Sequence, residues 1–502
     1  MRTNYSVKNS ITSFINNIIT FIVMFVGQTL FIKILGVEYT GLNGLFSNIL
    51  TLLNLFELGF GSAITYNLYK YIKNNDKETI KSILRFYKKA YNYIAILIFL
   101  VGLLFIPFLK YIVKDVSVNI NINIIYILFL ISTISTYLIT YKRNLLFASQ
   151  RNYIINIINI IYVIVLNILQ ILILFLTKNY YLYLIIKIIC ILLENIVISI
   201  KVNKDYPYIL EKNINPIDKK IKQDIFNKIK ALVMHKVSGA ITKGTDNILI
   251  SYFFGIKIVG LYTSYNYIIS SINKLFSNIV SASRASVGNL LVEGNKEKNY
   301  QVFKRISFLN FWITIFTTAC LFILIEPFIK IWLGSNFLLD KIVLITLMIN
   351  YYQVMMRNTY IVFKDAAGIW VEDKYVPLIK SVLNIVISII LLKIFGLAGV
   401  FMGTIVSSLV QWFYSYPKFV YINLLNRSIK NYINDFITHF IILVSVLLIC
   451  YFINIYSTNI FISFIICMII PNLILYLLFR NKDEFKYYIN LFKKFRKKRG
   501  TK

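Results

Sequence analysis

Apolar runs of about 20 residues recur along the whole chain, separated by short polar connections rich in lysine. A helix rising 1.5 Å per residue needs roughly 20 such residues to cross a ~30 Å hydrocarbon core. The pattern predicts spans near 11–33, 42–68, 91–113, 122–141, 153–176, 180–200, 231–254, 260–283, 306–329, 340–362, 376–394, 397–417, 436–454 and 459–479. Irregular backbone facing lipid leaves amides and carbonyls unpaired, so these runs are read as helices. The expectation is an all-α, polytopic integral membrane protein with about 14 transmembrane helices. The first run follows Arg2 and Lys8 but is too long for a signal-peptide core, and no small-residue cleavage site follows it. It is read as a permanent span.

Composition supports this class: 58% of the 502 residues are hydrophobic and 15% charged, which excludes an ordinary soluble domain. The formal net charge of +33 would point to nucleic acid in a soluble protein. Here the basic residues sit between the apolar runs, so topology explains them and no nucleic-acid partner is expected. Of the 54 Lys and Arg, counting those near span ends with the adjacent connection, 42 belong to the termini and even-numbered connections and 8 to the odd-numbered ones. That asymmetry places both termini in the cytoplasm. The basic tail at 493–499 (KKFRKKR) reads as an anchor on anionic lipid. The odd-numbered connections are short and leave no room for a soluble domain outside.

Cys190, Cys320, Cys450 and Cys467 each lie within an apolar run, with no CxxC or Cys/His spacing, and there are only two histidines, His235 and His439. Neither a metal site nor a cofactor is expected.

The chain repeats itself. GVEYTGL at 36–42 recurs as GIKIVGL at 255–261, PFLK at 107–110 as PFIK at 327–330, and ASQRNY at 148–153 aligns with WVEDKY at 370–375. The offsets are 219, 220 and 222. Chance matching in low-diversity apolar sequence is the alternative. Duplication gives two six-helix lobes in parallel orientation, an arrangement that transporters use with the site at the repeat interface. The expected domains are an N-terminal lobe at 1–200, a cytoplasmic linker at 201–230, a C-terminal lobe at 231–420, and two extra helices with the basic tail at 421–502.

The stretch 231–262 is apolar enough to span, yet carries His235, Lys236, Lys243 and Asp246. Ionisable groups at bilayer depth are costly and generally face a protein interior or a hydrated cavity. At 100° per residue His235, Gly239, Thr242 and Asp246 share one face, flanked by Lys236 and Lys243. Lys243 and Asp246, spaced i, i+3, are positioned to pair. Polar stripes also run along spans 1, 2 and 8, the second with Glu57 at its margin, the last with Lys274 and with Arg284 near its end. One reading is a hydrated cavity between the halves with a cationic wall from Lys236, Lys243, Lys274, Arg284 and His235. In it Asp246 and Glu57 are candidate carriers of H+ or Na+. The other is that Ser, Thr, Asn and Gly hold helices together and that Arg284 and Arg357 reach the interface.

Certain segments look familiar together: LG at 35–36 with GLNGLF at 41–46, ELGFGSAI at 57–64, TDN at 245–247, VGLY at 259–262, WLG at 332–334, NIV at 384–386 and GLAGVFMGT at 396–404. As a set they resemble the Wzx/PST oligosaccharide flippases, of the superfamily (MOP) that also holds the MATE drug exporters and the lipid II flippase MurJ. The resemblance covers nearly the whole chain. It implies two six-helix lobes plus two helices. It also implies translocation of undecaprenyl-pyrophosphate-linked oligosaccharide to the outer leaflet of the bacterial cytoplasmic membrane, without enzymatic chemistry. Association with other polysaccharide assembly proteins is part of the same expectation. The cationic-cavity idea carries over onto Lys236, Lys243, Lys274 and Arg284. Two alternatives stay open: a small-molecule exporter of the same fold, whose cavity would be acidic, and a membrane polymerase or ligase, which would need a sizeable outer loop.

Overall fold

A computed structural model describes residues 2–57, 60–114, 116, 120–211, 214–369, 372–455 and 459–499. Leu58-Gly59 of the flippase-like motif and Trp370-Val371 of the third repeat segment lie outside the described residues. So do several side chains within helices, among them those of His235, Lys236, Thr242 and Lys243.

The helices form two compact units, Met1–Thr263 and Ser264–Lys502. The first holds α1 (Arg2–Leu35), α2 (Val37–Leu53), α3 (Phe60–Lys73), α4 (Lys77–Leu104), α5 (Ile106–Ile112), α6 (Ile122–Tyr137), α7 (Thr140–Ala148), α8 (Asn152–Thr177) and α9 (Tyr180–Asp205). It also holds most of the long α10 (Lys219–Ser281), and a 3-10 turn, Asn54–Glu57, joins α2 to α3. The second unit holds α11 (Arg284–Val292), α12 (Lys296–Trp332), α13 (Lys341–Met356), α14 (Asn358–Ala367), α15 (Tyr375–Phe395) and α16 (Leu397–Val410). It continues through a π-helical stretch, Gln411–Leu424, into α17 (Ile429–Ile455), α18 (Ile460–Phe479) and α19 (Asp483–Arg499).

Among the described residues ten helices are long and apolar enough to cross a membrane, or eleven if the α6–α7 pair, bent by 42°, is one span. The expected count of 14 is therefore not confirmed. Breaks are the reason. The polar second run splits into α2, the 3-10 turn and α3; the tenth splits at Arg357 into α13 and α14; the seventh and eighth merge into α10 across a kink at Gly255. The multi-pass membrane character stands. Side chains such as Leu176, Ile394 and Phe461 are mostly exposed, as lipid-facing residues are.

The backbone carries the repeat further than the sequence does. Gly36 and Gly255, 219 apart, both take positive φ (98° and 81°), a conformation a Cβ would strain, and each turns the chain sharply between two helical segments. Asn75 and Gly294, also 219 apart, are left-handed, and the next residues, Asp76 and Asn295, cap α4 and α12 through their side chains. Lys178 and Gly396, 218 apart, are left-handed between α8 and α9 and between α15 and α16. These turns recur at offsets of 218 and 219, a coincidence that does not depend on apolar composition and that supports the sequence repeat.

In the first unit α1 runs along α8, α8 along α9, and α6 along α9. Residues 37–41 meet 255–260 backbone to backbone: a Cβ on Gly41 would lie 2.2 Å from the Ile256 carbonyl oxygen, and one on Gly260 2.2 Å from that of Val37. This contact draws the chain through Thr263 into the first unit, so the packing boundary lies beyond the 201–230 linker. Gly41→Val is expected to cost about 1–3 kcal/mol by overpacking, read as a lower thermal midpoint of the purified protein.

In the second unit α12 is central, packed by α13, α17 and α18, while α15 and α16 pack most closely of all. Gly399 and Gly403 make that last approach possible, since Cβ atoms there would fall 2.2 Å from Leu391 and Ser388 atoms. Cys320 and Cys467, distant in sequence, face each other's helices, the Cys320 thiol reaching the Cys467 carbonyl at 3.8 Å.

Candidate functional site

A carboxylate and three tyrosines meet inside the first unit. The 3-10 turn after α2 presents Glu57, and the Tyr91 hydroxyl on α4 donates to its Oε1 at 2.5 Å. One helical turn earlier, Tyr87 hydrogen-bonds Tyr91 and receives the Asn144 side-chain amide from α7. The Tyr87 and Tyr91 rings sit 4.5 Å apart, and Tyr137 on α6 lies 5.8 Å from Tyr91. The Tyr137 hydroxyl donates to Asn54 Oδ1 at 2.7 Å, fixing the other end of the turn that holds Glu57. Gly61 leaves room for the hydroxyl pair: a Cβ there would stand 3.1 Å from the Tyr91 oxygen and 3.2 Å from that of Tyr87.

Tyr87 and Tyr91 are essentially inaccessible, whereas Glu57 is half-buried. The row Asn144–Tyr87–Tyr91–Glu57 thus ends on a half-buried carboxylate. Such a group can take up and release a proton while its neighbours redirect their hydroxyl hydrogens. The sequence reading singled out Glu57 and not its tyrosine partners. Their signal was the i, i+4 spacing of Tyr87 and Tyr91.

The remaining expected residues are distributed as follows. Asp246 is half-buried on α10 in the first unit, and its charge acts on the Tyr262 hydroxyl. Its neighbour Asn247 is buried beside Gly44, with Thr263 on the same side. His235, Lys236 and Lys243 lie on α10, and their side chains fall outside the description. In the second unit Lys274 is exposed, and Arg284 pairs with Asp365 at 3.0 Å. With Arg284 half-exposed, that pair offsets its charge more than it stabilises the fold.

Polar clusters that the sequence reading missed lie at the same helix ends in both halves. Arg143 on α7 forks onto Glu194 of α9, with Nη1–Oε1 at 3.2 Å and Nη2–Oε2 at 2.8 Å, and also reaches Asn195. The neighbouring Lys142, buried, donates to Ser199 and, at 2.8 Å, to Asn203 Oδ1. In the second unit the buried Lys364 on α14 donates to Ser415 Oγ at 2.9 Å and pairs directly with Asp373. Ser415 in turn donates to Asp373 Oδ2 at 3.0 Å. Lys142 and Lys364 are 222 apart, the offset of the third repeat segment, and each ties the half-helix after a broken span to the last span of its half. Aligning the two halves would have exposed the pair.

Comparison with known proteins follows this geometry. The model of a family described as polysaccharide biosynthesis protein matches residues 6–284. No curated protein matches the chain by sequence. Among solved structures, the lipid II flippase MurJ in an inward closed conformation is similar with a TM-score of 0.67 at 16% identity, covering 95% of this chain and 99% of that one. A mutant of the Vibrio cholerae MATE transporter VcmN gives 0.56 at 13% identity over 82% of this chain and 95% of the other. An inward-facing multidrug resistance MATE transporter of the MOP superfamily gives 0.54 at 14% identity over 77% and 91%. At identities this low the structural likeness shows the fold alone.

Proposed function

The chain belongs to the polysaccharide biosynthesis protein family, and from that premise we propose that it is a flippase for lipid-linked oligosaccharide. The observation that carries the reading is the family match over residues 6–284 on a chain whose fold is like that of a lipid II flippase along nearly its full length. In this reading the cargo is an undecaprenyl-pyrophosphate-linked repeat unit, carried from the inner to the outer leaflet of the bacterial cytoplasmic membrane. Both termini are cytoplasmic, in keeping with the 42-to-8 division of Lys and Arg. The domains are those of the repeat, 1–200 and 231–420, with 201–230 as linker and 421–502 appended.

Transport proceeds by alternating access, each half moving as a packed body. Lys236 and Lys243, with His235 and Lys274, offset the pyrophosphate charge, and Arg284 contributes once it leaves Asp365. An ion gradient or the membrane potential drives the cycle, the latter supplying about 2.3 kcal/mol per charge per 100 mV. Glu57, in its tyrosine cluster, and Asp246 are the carriers of H+ or Na+. A cation exporter of the same fold would favour acidic walls, whereas the charges on 231–262 are mainly basic.

Deleting the gene is expected to leave lipid-linked oligosaccharide accumulated on the cytoplasmic leaflet, and an unchanged pool there would count against a flippase. In complemented cells, Lys236→Ala with Lys243→Ala is expected to cut surface polysaccharide by about tenfold or more at equal protein level, since two charge contacts are lost. Normal export from that variant would remove the lysines from the cargo site.

A further inference from the structure

An apolar groove of about 360 Å3 opens on the second unit between α12, α13 and α17. Phe440, Val444 and Leu448 line it from α17, four residues apart and so on one face, and Ile345 and Ile349 line it from α13. The first four of these wall residues to face out, Phe440, Val444, Leu448 and Ile345, each leave between 40% and 49% of their surface open. Leu443 and Met348 are buried and close the floor. At one end stands Lys341, the charged residue among the described lining. Its ammonium lies 5.7 Å from the Tyr451 ring, which is 6.2 Å from the Phe322 ring, so the three helices meet there. Lys341 also pairs with Glu326 at 3.4 Å, and the exposed Asp340 precedes it. We propose that this groove is a phospholipid site. One acyl chain lies along it, and a zwitterionic headgroup of the phosphatidylethanolamine class sits on Lys341, Glu326 and Asp340. The proposal does not depend on what the protein transports.

Length selects the chain. From Phe440 to Tyr451 the α17 face rises roughly 16 Å at ~1.5 Å per residue. One leaflet of a ~30 Å hydrocarbon core is about 15 Å deep. The groove therefore takes one acyl chain from headgroup to bilayer midplane, whereas an undecaprenyl chain is longer than a leaflet is deep. The walls offer a polar ligand nothing, since the Thr318 hydroxyl already donates to the Thr314 carbonyl at 2.6 Å.

Charge selects the headgroup. The ammonium of Lys341 suits a phosphate oxygen. Its contact with Glu326 does not use it up, because an ammonium has three donors and a carboxylate several acceptor sites. Lys341 is also mostly exposed, and an exposed ion pair is worth little by itself. A headgroup carrying both charges completes that pair into a ring, with phosphate on Lys341 and amine on Glu326 or Asp340. A purely anionic headgroup would meet two carboxylates beside one ammonium. A choline headgroup has no N–H to donate to either carboxylate. With both termini cytoplasmic, as proposed above, the Lys341 end faces outward and the lipid belongs to the outer leaflet.

The test uses the full chain in lipid-free detergent and native mass spectrometry. The probes are phosphatidylethanolamine, phosphatidylglycerol and phosphatidylcholine with identical acyl chains, and undecaprenyl phosphate. Wild type is expected to hold phosphatidylethanolamine about tenfold more tightly than the other two phospholipids. Lys341→Gln is expected to weaken it about tenfold, and Glu326→Gln to bring it level with phosphatidylcholine. Val444→Trp, which fills the groove from its open side, is expected to weaken all three phospholipids by a similar factor. Thermal midpoints without lipid show which variants are folded, and should Lys341→Gln fail to fold, Glu326→Gln and the wild-type preference decide. The proposal is overturned if wild type holds the three phospholipids alike or prefers phosphatidylglycerol. It is overturned equally if folded Val444→Trp binds phosphatidylethanolamine as wild type does. Tighter binding of undecaprenyl phosphate than of phosphatidylethanolamine would also overturn it and make the groove a rest for a polyprenyl tail.

Discussion

Asp373→Ala is expected to destabilise the protein by about 3–5 kcal/mol, a larger stability loss than Gly41→Val produces. Asp373 is 1% exposed and pairs directly with Lys364, itself mostly buried. Removing the carboxylate leaves an ammonium inside a low-dielectric site, with Ser415 as the hydroxyl that remains beside it. Most of the loss comes from that uncompensated charge. The attraction of an intact buried pair is largely offset by the cost of desolvating both ions. The double change Lys364→Met/Asp373→Leu is therefore expected to recover much of the stability. Thermal unfolding in detergent at a fixed scan rate measures both, because unfolding of such a protein is governed by rate. A double variant as unstable as Asp373→Ala would show that local packing, and not the stranded charge, sets the cost.

Glu57→Gln is expected to cut transport by about tenfold or more with little change in thermal midpoint. The amide oxygen of glutamine accepts the Tyr91 hydroxyl as the carboxylate does, so the row from Asn144 through Tyr87 and Tyr91 is kept. What glutamine cannot do is take up or release a proton. In proteoliposomes with an imposed ion gradient, translocation of lipid-linked oligosaccharide by wild type should rise with the gradient and by Glu57→Gln should not. Tyr91→Phe removes one hydrogen bond from the carboxylate and should slow translocation while retaining gradient dependence. A Glu57→Gln protein that responds to the gradient like wild type would leave Asp246 as the coupling candidate.

Hydropathy is a sum over neighbouring residues, so the existence of spans, the basic asymmetry of the connections and the repeat could all be read without a fold. Lys364 shows where that reading stops. In sequence it is one more basic residue in a connection, and its hydrogen-bond partner Ser415 stands 51 residues away. The same holds for Arg143 and Glu194, also 51 apart, which carry no i, i+4 signature. Arg284 was read either as part of a cationic wall or as reaching the interface, and its Asp365 partner alters what charge it offers.

Helix continuity divides along the same line. Apolar length predicts where a span lies but not whether its backbone is straight. The breaks at Gly36 and Gly255 fall at positive-φ glycines, and neither the break at Arg357 nor the bend between α6 and α7 changes the apolar length of its run. The sequence by itself determined an all-helical, multi-pass membrane chain with a repeated pattern, because hydrophobic length and repetition are local properties. Only the tertiary structure decided that Glu57 closes a tyrosine row, that Lys142 and Lys364 are equivalent ties, and that residues 255–260 pack on 37–41. Each depends on groups brought together from distant parts of the chain, where burial makes an unpaired charge or polar group costly and so fixes its partner.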